Sequence, residues 1–232
     1  MAGTLAGGMQ RKTAAFFREN GLSLALAGAF LVCLLAQALS GLAAFNEELR
    51  EHGRATLELG EYLRSGHFLE AVFENWESEF LQMAVFVLLT ARLFQRGSSE
   101  SKKLEGDNES DADPREKRKD ANVPWPVRKG GWVLKVYEHS LSGTFMLLFL
   151  VTLGLHAVGG LMKTNEERLL QGQPAEPFSE YLRSAQFWYE SFQNWQSEFL
   201  AMLAVVTLSI FLRERGSPQS KPVAAPHAET GG

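Results

Sequence analysis

The chain contains one stretch of sequence twice, with the second copy 119 residues after the first. The segment 61–65 (Glu-Tyr-Leu-Arg-Ser) returns at that distance, and so does the segment 75–81, which reads Asn-Trp-x-Ser-Glu-Phe-Leu. Residues 22–102 align with 141–221 without a gap, and about 35 of the 81 positions are identical. A repeat of this length predicts two copies of one structural unit, which limits the folds open to the chain.

Two long apolar runs occupy equivalent places in the two copies. Residues 21–45 contain no charge, and as a helix they would extend about 37 Å. Residues 141–162 form the second run, in which His156 is the one titratable side chain. Each run is long enough to cross a bilayer, so we predict two transmembrane helices here.

Two shorter apolar runs, 80–94 and 199–212, end the two copies. Alone, runs of this length are ambiguous between a membrane span and a core helix. Each is preceded by a tryptophan, Trp76 or Trp195, and followed by arginines. Tryptophan favours the membrane interface and arginine side chains reach towards water, so we interpret both runs as return spans.

A cleaved signal peptide is the alternative interpretation of the first run. Arg11, Lys12 and Arg18 precede the apolar stretch, and Ala-Gln-Ala follows at 36–38. The equivalent run at 141–162 lies inside the chain and is not a signal peptide. We therefore favour a retained span in both copies.

Charge predicts the direction in which the spans cross the membrane. Basic residues are frequent before the first span and between the copies, whereas 46–79 and 163–198 are rich in glutamate. Basic residues mark the cytoplasmic side. We predict an all-α membrane protein with four transmembrane helices, both copies inserted in the same direction and both termini in the cytoplasm. Parallel copies are related by a pseudo-twofold axis along the membrane normal.

This organisation divides the chain into five segments. They are a cytoplasmic N-terminal segment (1–20), a first two-span copy (21–96), a charged cytoplasmic linker (97–134), a second two-span copy (135–215) and a cytoplasmic tail (216–232). The linker has few apolar residues and dense mixed charge, so we predict that it is disordered.

The outer connection 180–196 has an apolar, mostly aromatic residue at every third or fourth position, and 61–77 repeats most of these positions. This pattern predicts an amphipathic helix in each copy. Glu70, Glu74 and Glu77 are expected on its other, charged faces. A helix of this kind lies flat on the membrane or packs across the ends of neighbouring helices.

Glu79 and Glu198 are a first pair of candidate functional residues, at equivalent positions near the outer ends of the return spans. If they converge near the axis, they would share a proton or bind a cation, because neighbouring carboxylates do not both ionise cheaply. We favour the simpler interpretation that each lies in water at the interface.

Gln37 and His156 are a second pair, at equivalent positions of the long spans. An ionisable group inside a span is a functional hypothesis by default, and a histidine there could relay a proton or ligate a metal. Because Gln37 does not titrate, we favour a hydrogen bond between helices for both.

The pairs Asn75 and Asn194, and Trp76 and Trp195, form the densest repeated signature. A ligand-binding role is one hypothesis. Anchoring at the membrane interface also explains these residues, and we favour it.

The sequence contains no nucleophile–base pair, phosphate loop or metal-ligand spacing, so we predict neither an enzyme nor a cofactor. The one cysteine, Cys33, excludes an intramolecular disulfide framework. No basic surface interleaved with aromatic residues indicates nucleic acid as a partner.

With the repeated Asn-Glu-Glu, Phe-x-Asn-Trp-x-Ser-Glu-Phe-Leu and Arg-Gly-Ser-x-x-Ser-Lys segments, the chain resembles a bacterial family of integral membrane proteins catalogued only as a domain of unknown function. The resemblance implies a multi-pass protein of the bacterial cytoplasmic membrane.

Our primary functional hypothesis is a structural or partner-binding role in the bilayer, with a membrane protein or a second copy of the chain as partner. The alternative is a small ion or solute transporter or channel that works as an oligomer.

Overall fold

The computed structural model describes the backbone of residues 2–231 and the side chains of residues 14–231. This part of the chain contains α-helices and no strand, which confirms the all-helical class. The helices are α1 (Ala2–Glu51), α2 (Leu59–Tyr62), α3 (Gly66–Thr90), α4 (Trp125–Lys129), α5 (Gly131–Glu138), α6 (Ser140–Leu170), α7 (Phe178–Tyr181) and α8 (Ala185–Leu208).

Two helices of the described residues are long and apolar enough to cross a membrane, by length and composition. They are Ala14–Glu51 within α1 and Ser140–Leu170, which is α6. Large apolar side chains along α1, such as Leu22 and Leu26, are exposed, as expected of a helix that faces lipid. The N-terminal halves of α3 and α8 contain charged and amide side chains, so these helices do not have the same character along their whole length.

α3 and α8 each join two parts that the sequence predicts as separate helices. The amphipathic part and the following apolar part form one continuous helix, because neither helix contains an interior glycine or proline to break it. The oxygen Oγ of Ser184 accepts a hydrogen bond from the backbone N–H of Phe187 at the start of α8. Ser65 makes the same bond to Phe68 in α3. The repeated Glu-Tyr-Leu-Arg-Ser segment therefore ends in the serine that starts the next helix.

The described structure divides into two compact units, and the first is Met1–Phe68. α1 ends at Glu51, and Gly53 just beyond it has a φ of 65°, which allows the backbone N–H of Arg54 to bond the carbonyl of Leu49. The side chain of Asn46 then both donates to and accepts from the backbone of Leu57, at 3.0 and 2.7 Å.

The second unit is Leu69–Gly232, and it contains the same contacts 119 residues later. Gly172 has a φ of 71° and follows the end of α6. The side chain of Asn165 bonds the backbone of Glu176 in both directions, at 3.1 and 2.6 Å. These two polar contacts fold the connection back against the helix that it follows.

Glycines bring α6 close to its neighbours within the second unit. A Cβ at Gly159 would lie 2.6 Å from the backbone nitrogen of Glu70, so the start of α3 packs against the α6 backbone. A Cβ at Gly160 would overlap the hydroxyl of Tyr181. Within a bilayer the hydrophobic effect does not drive helices together. Small residues such as glycine then let helix backbones approach closely and pack.

The segments that follow α3 and α8 are joined by polar contacts. Oγ of Ser98 lies 2.9 Å from Oγ of Ser209, and the hydroxyl of Thr230 accepts from the backbone N–H of Gly97. The segment 97–124 consists of turns with a 3₁₀ turn at Glu109–Asp111. Disorder of this linker in solution stays a prediction.

Candidate functional site

His156 lies at the centre of a group of charged side chains in the second unit. Its side chain, on α6, is completely buried, and Nδ1 lies 3.0 Å from Oε2 of Glu77 on α3. On the opposite edge of the ring, Nε2 lies 3.7 Å from Oε2 of Glu190 on α8. The imidazole therefore stands between two carboxylates that come from two other helices.

Apolar side chains cover the imidazole. The ring of Phe187 lies over it with a centroid distance of 5.1 Å, and Phe187 in turn packs against Tyr181 at 5.6 Å. Ala157 completes this small core. Because water is excluded, charges here are screened less than charges at a surface.

Three glutamates of α3 form a stripe that faces the interior. Glu70, Glu74 and Glu77 are separated by four and three residues, so they share one face of the helix. Glu77 is fully buried and Glu70 is 5% exposed. The sequence predicts these glutamates on a face other than the aromatic one. In the structure α6 and α8 cover that face as well.

Each of the three glutamates has a partner. Nζ of Lys163 on α6 lies 2.7 Å from Glu70, the amide of Asn194 donates to Glu74, and Nε1 of Trp195 donates to Glu77 at 3.2 Å. Two helices thus supply the groups that compensate the carboxylates of a third.

We call six of these residues the His156 cluster. They are Glu70, Glu74, Glu77, His156, Lys163 and Glu190. Four carboxylates face two basic groups, so the fully ionised cluster has two excess negative charges. An excess of this sign attracts a proton or another cation.

Several buried polar atoms around the cluster make no hydrogen bond. Among the described residues they include Nε2 of His156, Oε2 of Glu190, the hydroxyl of Tyr181 and Oγ of Ser191. Buried polar atoms are nearly always paired, so these unpaired ones require an explanation. Nε2 and Oε2 face each other at 3.7 Å, and one proton between them would satisfy both.

Tyr181 lies beside the cluster with its hydroxyl against Gly160. Burial, followed by the nearby carboxylates of Glu190 and Glu70, raises the pKa of Tyr181. The side chain is therefore a neutral phenol at physiological pH, able both to donate and to accept a hydrogen bond.

The structure places Glu79 and Glu198 outside this cluster. Glu79 is exposed on α3 and Glu198 is half-buried on α8. They lie within electrostatic range of each other, and the backbone oxygen of Glu198 accepts a hydrogen bond from Gln82.

The two copies of the Asn-Trp signature make different contacts. Asn194 and Trp195 bind glutamates of α3, as described above. Asn75 is exposed and donates to the carbonyl of Ala71 in its own helix, and Trp76 packs edge-on against Phe73. Asn194 and Trp195, the residues of the second copy, contact the His156 cluster.

Gln37, the counterpart of His156, lies on α1 in the first unit. It is half-buried, and its backbone carbonyl lies within hydrogen-bonding distance of the Ser40 hydroxyl. The prediction of a polar contact between helices holds for His156, which meets Glu77 and Glu190.

Five members of the cluster are not among the candidates predicted from the sequence: Glu70, Glu74, Glu77, Lys163 and Glu190. The available signal was matched spacing, because Glu70 and Glu77 are seven residues apart on α3, as are His156 and Lys163 on α6. Stripes of opposite charge at the same spacing on two apolar helices predict that the helices pair.

The positions 119 residues from the cluster residues hold neutral side chains. These are Tyr189, Gln193, Gln196, Gln37, Ala44 and Ala71. The charges are thus a property of one site and not of the repeated sequence. Within the described residues, no group of histidine, cysteine or acidic side chains has the arrangement of a metal site.

A protein family described as a domain of unknown function (DUF6766) matches residues 13–232. No curated protein matches the chain. No solved structure matches it either.

Proposed function

Because the chain belongs to the DUF6766 family, a domain of unknown function, we propose a function from the geometry of its site. The protein is a proton-linked transporter or channel for an ion or small solute, and the His156 cluster is where it binds and releases the proton.

One observation supports this proposal above the others. Nε2 of His156 and Oε2 of Glu190 are both buried, both lack a hydrogen bond and face each other at 3.7 Å. With no proton between them, a lone pair of the nitrogen and a lone pair of the oxygen face and repel each other. With a proton on either atom, the pair forms a hydrogen bond. Gain and loss of one proton therefore changes the contact between α6 and α8.

The proposed architecture has four spans, with α3 and α8 crossing the membrane in addition to α1 and α6. The glutamates of α3 do not oppose this, because they face α6 and α8 and are paired there with Lys163, Asn194 and Trp195. Ionisable side chains within membrane spans face the interior of a helix bundle and pair in this way.

The proposed location is the bacterial cytoplasmic membrane, with both termini in the cytoplasm. The distribution of basic residues supports this direction, and it places the connections between α1 and α3 and between α6 and α8 on the outer side. The Lys163 end of the His156 cluster lies towards that outer side, since Lys163 is seven residues from the end of α6, whereas His156 is near the middle of the helix.

A purely structural or partner-binding role is the less favoured proposal. A helix bundle does not need charges at these places, because the equivalent positions hold glutamine, alanine and tyrosine. Burying ionisable groups is costly, so a structure without a use for them would favour apolar or amide side chains.

Proton flux into proteoliposomes tests the proposal. The vesicles contain a pH-sensitive dye, and a potential is applied across their membrane. We expect the wild-type protein to acidify the vesicle interior. The His156→Gln variant should lower the rate of acidification by at least about tenfold. Glutamine is the side chain at the equivalent position 37, so this variant should still insert and fold.

Glu79→Gln is the matched control, because Glu79 is exposed on α3 and outside the cluster. It should transport at the wild-type rate. Wild-type protein that moves no proton above the background of empty vesicles, with or without candidate solutes, would overturn the proposal. Full activity of His156→Gln would also overturn it.

A further inference from the structure

We infer that protons reach His156 from one side only, along a ladder of polar groups that begins at Lys163 and Glu70 and passes Tyr181. This inference rests on the proposed function and names the route that leads to its site. The ligand is the proton itself, delivered from the water that bathes the connection between α6 and α7.

The first support is the alignment of α3 with α6. Glu70 meets Lys163, and Glu77 meets His156, so the two helices run side by side in opposite directions over seven residues. Seven residues of helix span about 10 Å. Charged groups therefore occur at both ends of this stretch, with Glu74 between them on the same face of α3.

The second support is the gradient of exposure along this stretch. The Lys163 side chain is 33% exposed and the Glu70 side chain is 7% exposed, whereas the side chains of Glu77 and His156 are 0% exposed. The side chain of Glu190, which meets His156 from α8, is 12% exposed. The Lys163–Glu70 ion pair thus connects the surface with the interior.

The third support is Tyr181, which is 1% exposed and whose hydroxyl has no hydrogen-bond partner. The hydroxyl lies against Gly160, and Oε1 of Glu70 approaches the same glycine. Gly160 is one helical turn from His156 and precedes Lys163 by three residues, so the phenol stands between the two ends of the ladder.

The phenol remains protonated, because its surroundings raise the pKa of Tyr181. Glu190 and Glu70 are the first two charges that act on this phenol. When its hydroxyl bonds both of them, it accepts a proton from Glu70 as it gives its own to Glu190, without a net change. The carboxyl of Glu190 then hands the proton to Nε2 of His156. Each group accepts one proton and gives one, so the ladder ends in its starting state.

Towards the other end of α6 the contacts change character. Trp195 packs edge-on against Phe149 at 5.8 Å, and the hydroxyl of Thr152 donates to the carbonyl of Leu148 in its own helix. These side chains close the cluster on that side, which is why we assign the access route to the Lys163 side alone.

The test measures exchange of the His156 ring N–H with solvent deuterium, by NMR of ¹⁵N-histidine-labelled protein in nanodiscs. The chain has five histidines, and His156→Gln identifies the signal. We expect Glu70→Gln and Tyr181→Phe each to slow exchange by at least about tenfold. If Glu70→Gln does not fold, Glu70→Gln combined with Lys163→Gln removes the ion pair without leaving an unpaired charge.

Tyr62→Phe is the matched control, because Tyr62 lies against Gly41 as Tyr181 lies against Gly160. The ring N–H of His156 in this variant should exchange at the wild-type rate. Exchange within about twofold of wild type in the folded ladder variants would overturn the inference, even if vesicles show proton flux. Ladder-dependent exchange in a protein that shows no flux would instead overturn the proposed function and leave the ladder intact.

Discussion

Asn194 and Trp195 belong to a signature that the chain contains twice, yet their side chains bond glutamates that only the first copy possesses. The positions equivalent to Glu74 and Glu77 are Gln193 and Gln196. Identical residues thus have different partners in the two copies. At the scale of single residues, the role of a side chain depends on the side chains that it contacts. Duplication of the sequence does not preserve those contacts.

The contact between Tyr181 and Gly160 allows a direct test at the residue scale. We expect Gly160→Ala to cost about 1–3 kcal/mol, because the new Cβ overlaps the phenol hydroxyl. Adding Tyr181→Phe removes that hydroxyl and should recover much of the loss. Thermal unfolding in detergent measures both. A double variant no more stable than Gly160→Ala would show that the overlap is not the cause.

At the scale of elements, the existence of the helices was predictable from the sequence. The face of α3 that is buried was not. The apolar runs correctly indicate where α1 and α6 lie, and a glycine of positive φ, Gly53 or Gly172, follows the end of each helix. The aromatic periodicity correctly predicts helix over 61–77, except for a turn before Gly66. Which face of α3 is buried depends on neighbours distant in sequence, and periodicity within one helix does not contain that information.

Packing of α3 on α6 provides the test at the scale of elements. Gly159→Ala should destabilise the protein, since the Cβ would lie 2.6 Å from the backbone nitrogen of Glu70. Gly154→Ala, on the same helix, points into open space and should be neutral or stabilising by up to about 1 kcal/mol. Size-exclusion profiles and melting temperatures in detergent compare the two. Equal behaviour of the two variants contradicts the proposed close packing.

At the scale of the whole molecule, charge has two separate arrangements. Basic residues are concentrated at the ends and between the copies, where they predict direction across the membrane. Four glutamates, a histidine and a lysine instead meet inside the second unit. The first arrangement is found by counting basic residues along the sequence. The second exists only because α3, α6 and α8 pack together.

Reporter fusions test the proposed direction of the whole chain. Alkaline phosphatase joined after Gly60 should be active, because the connection between α1 and α3 is expected outside the cytoplasm. The same enzyme joined after Ser110, in the linker, should be inactive. The reverse pattern would invert the proposed topology, and activity at both sites would contradict a return span between them.

The sequence by itself determined the helical class, the two long apolar helices and the family, because these depend on local composition and on a motif that is contiguous in the chain. It also singled out His156 as an ionisable group in an apolar run. Only the tertiary structure decided that Glu77 and Glu190 flank this histidine, at 3.0 and 3.7 Å. The physical reason is that a buried charge requires a partner, and the partner is chosen by how helices distant in sequence pack.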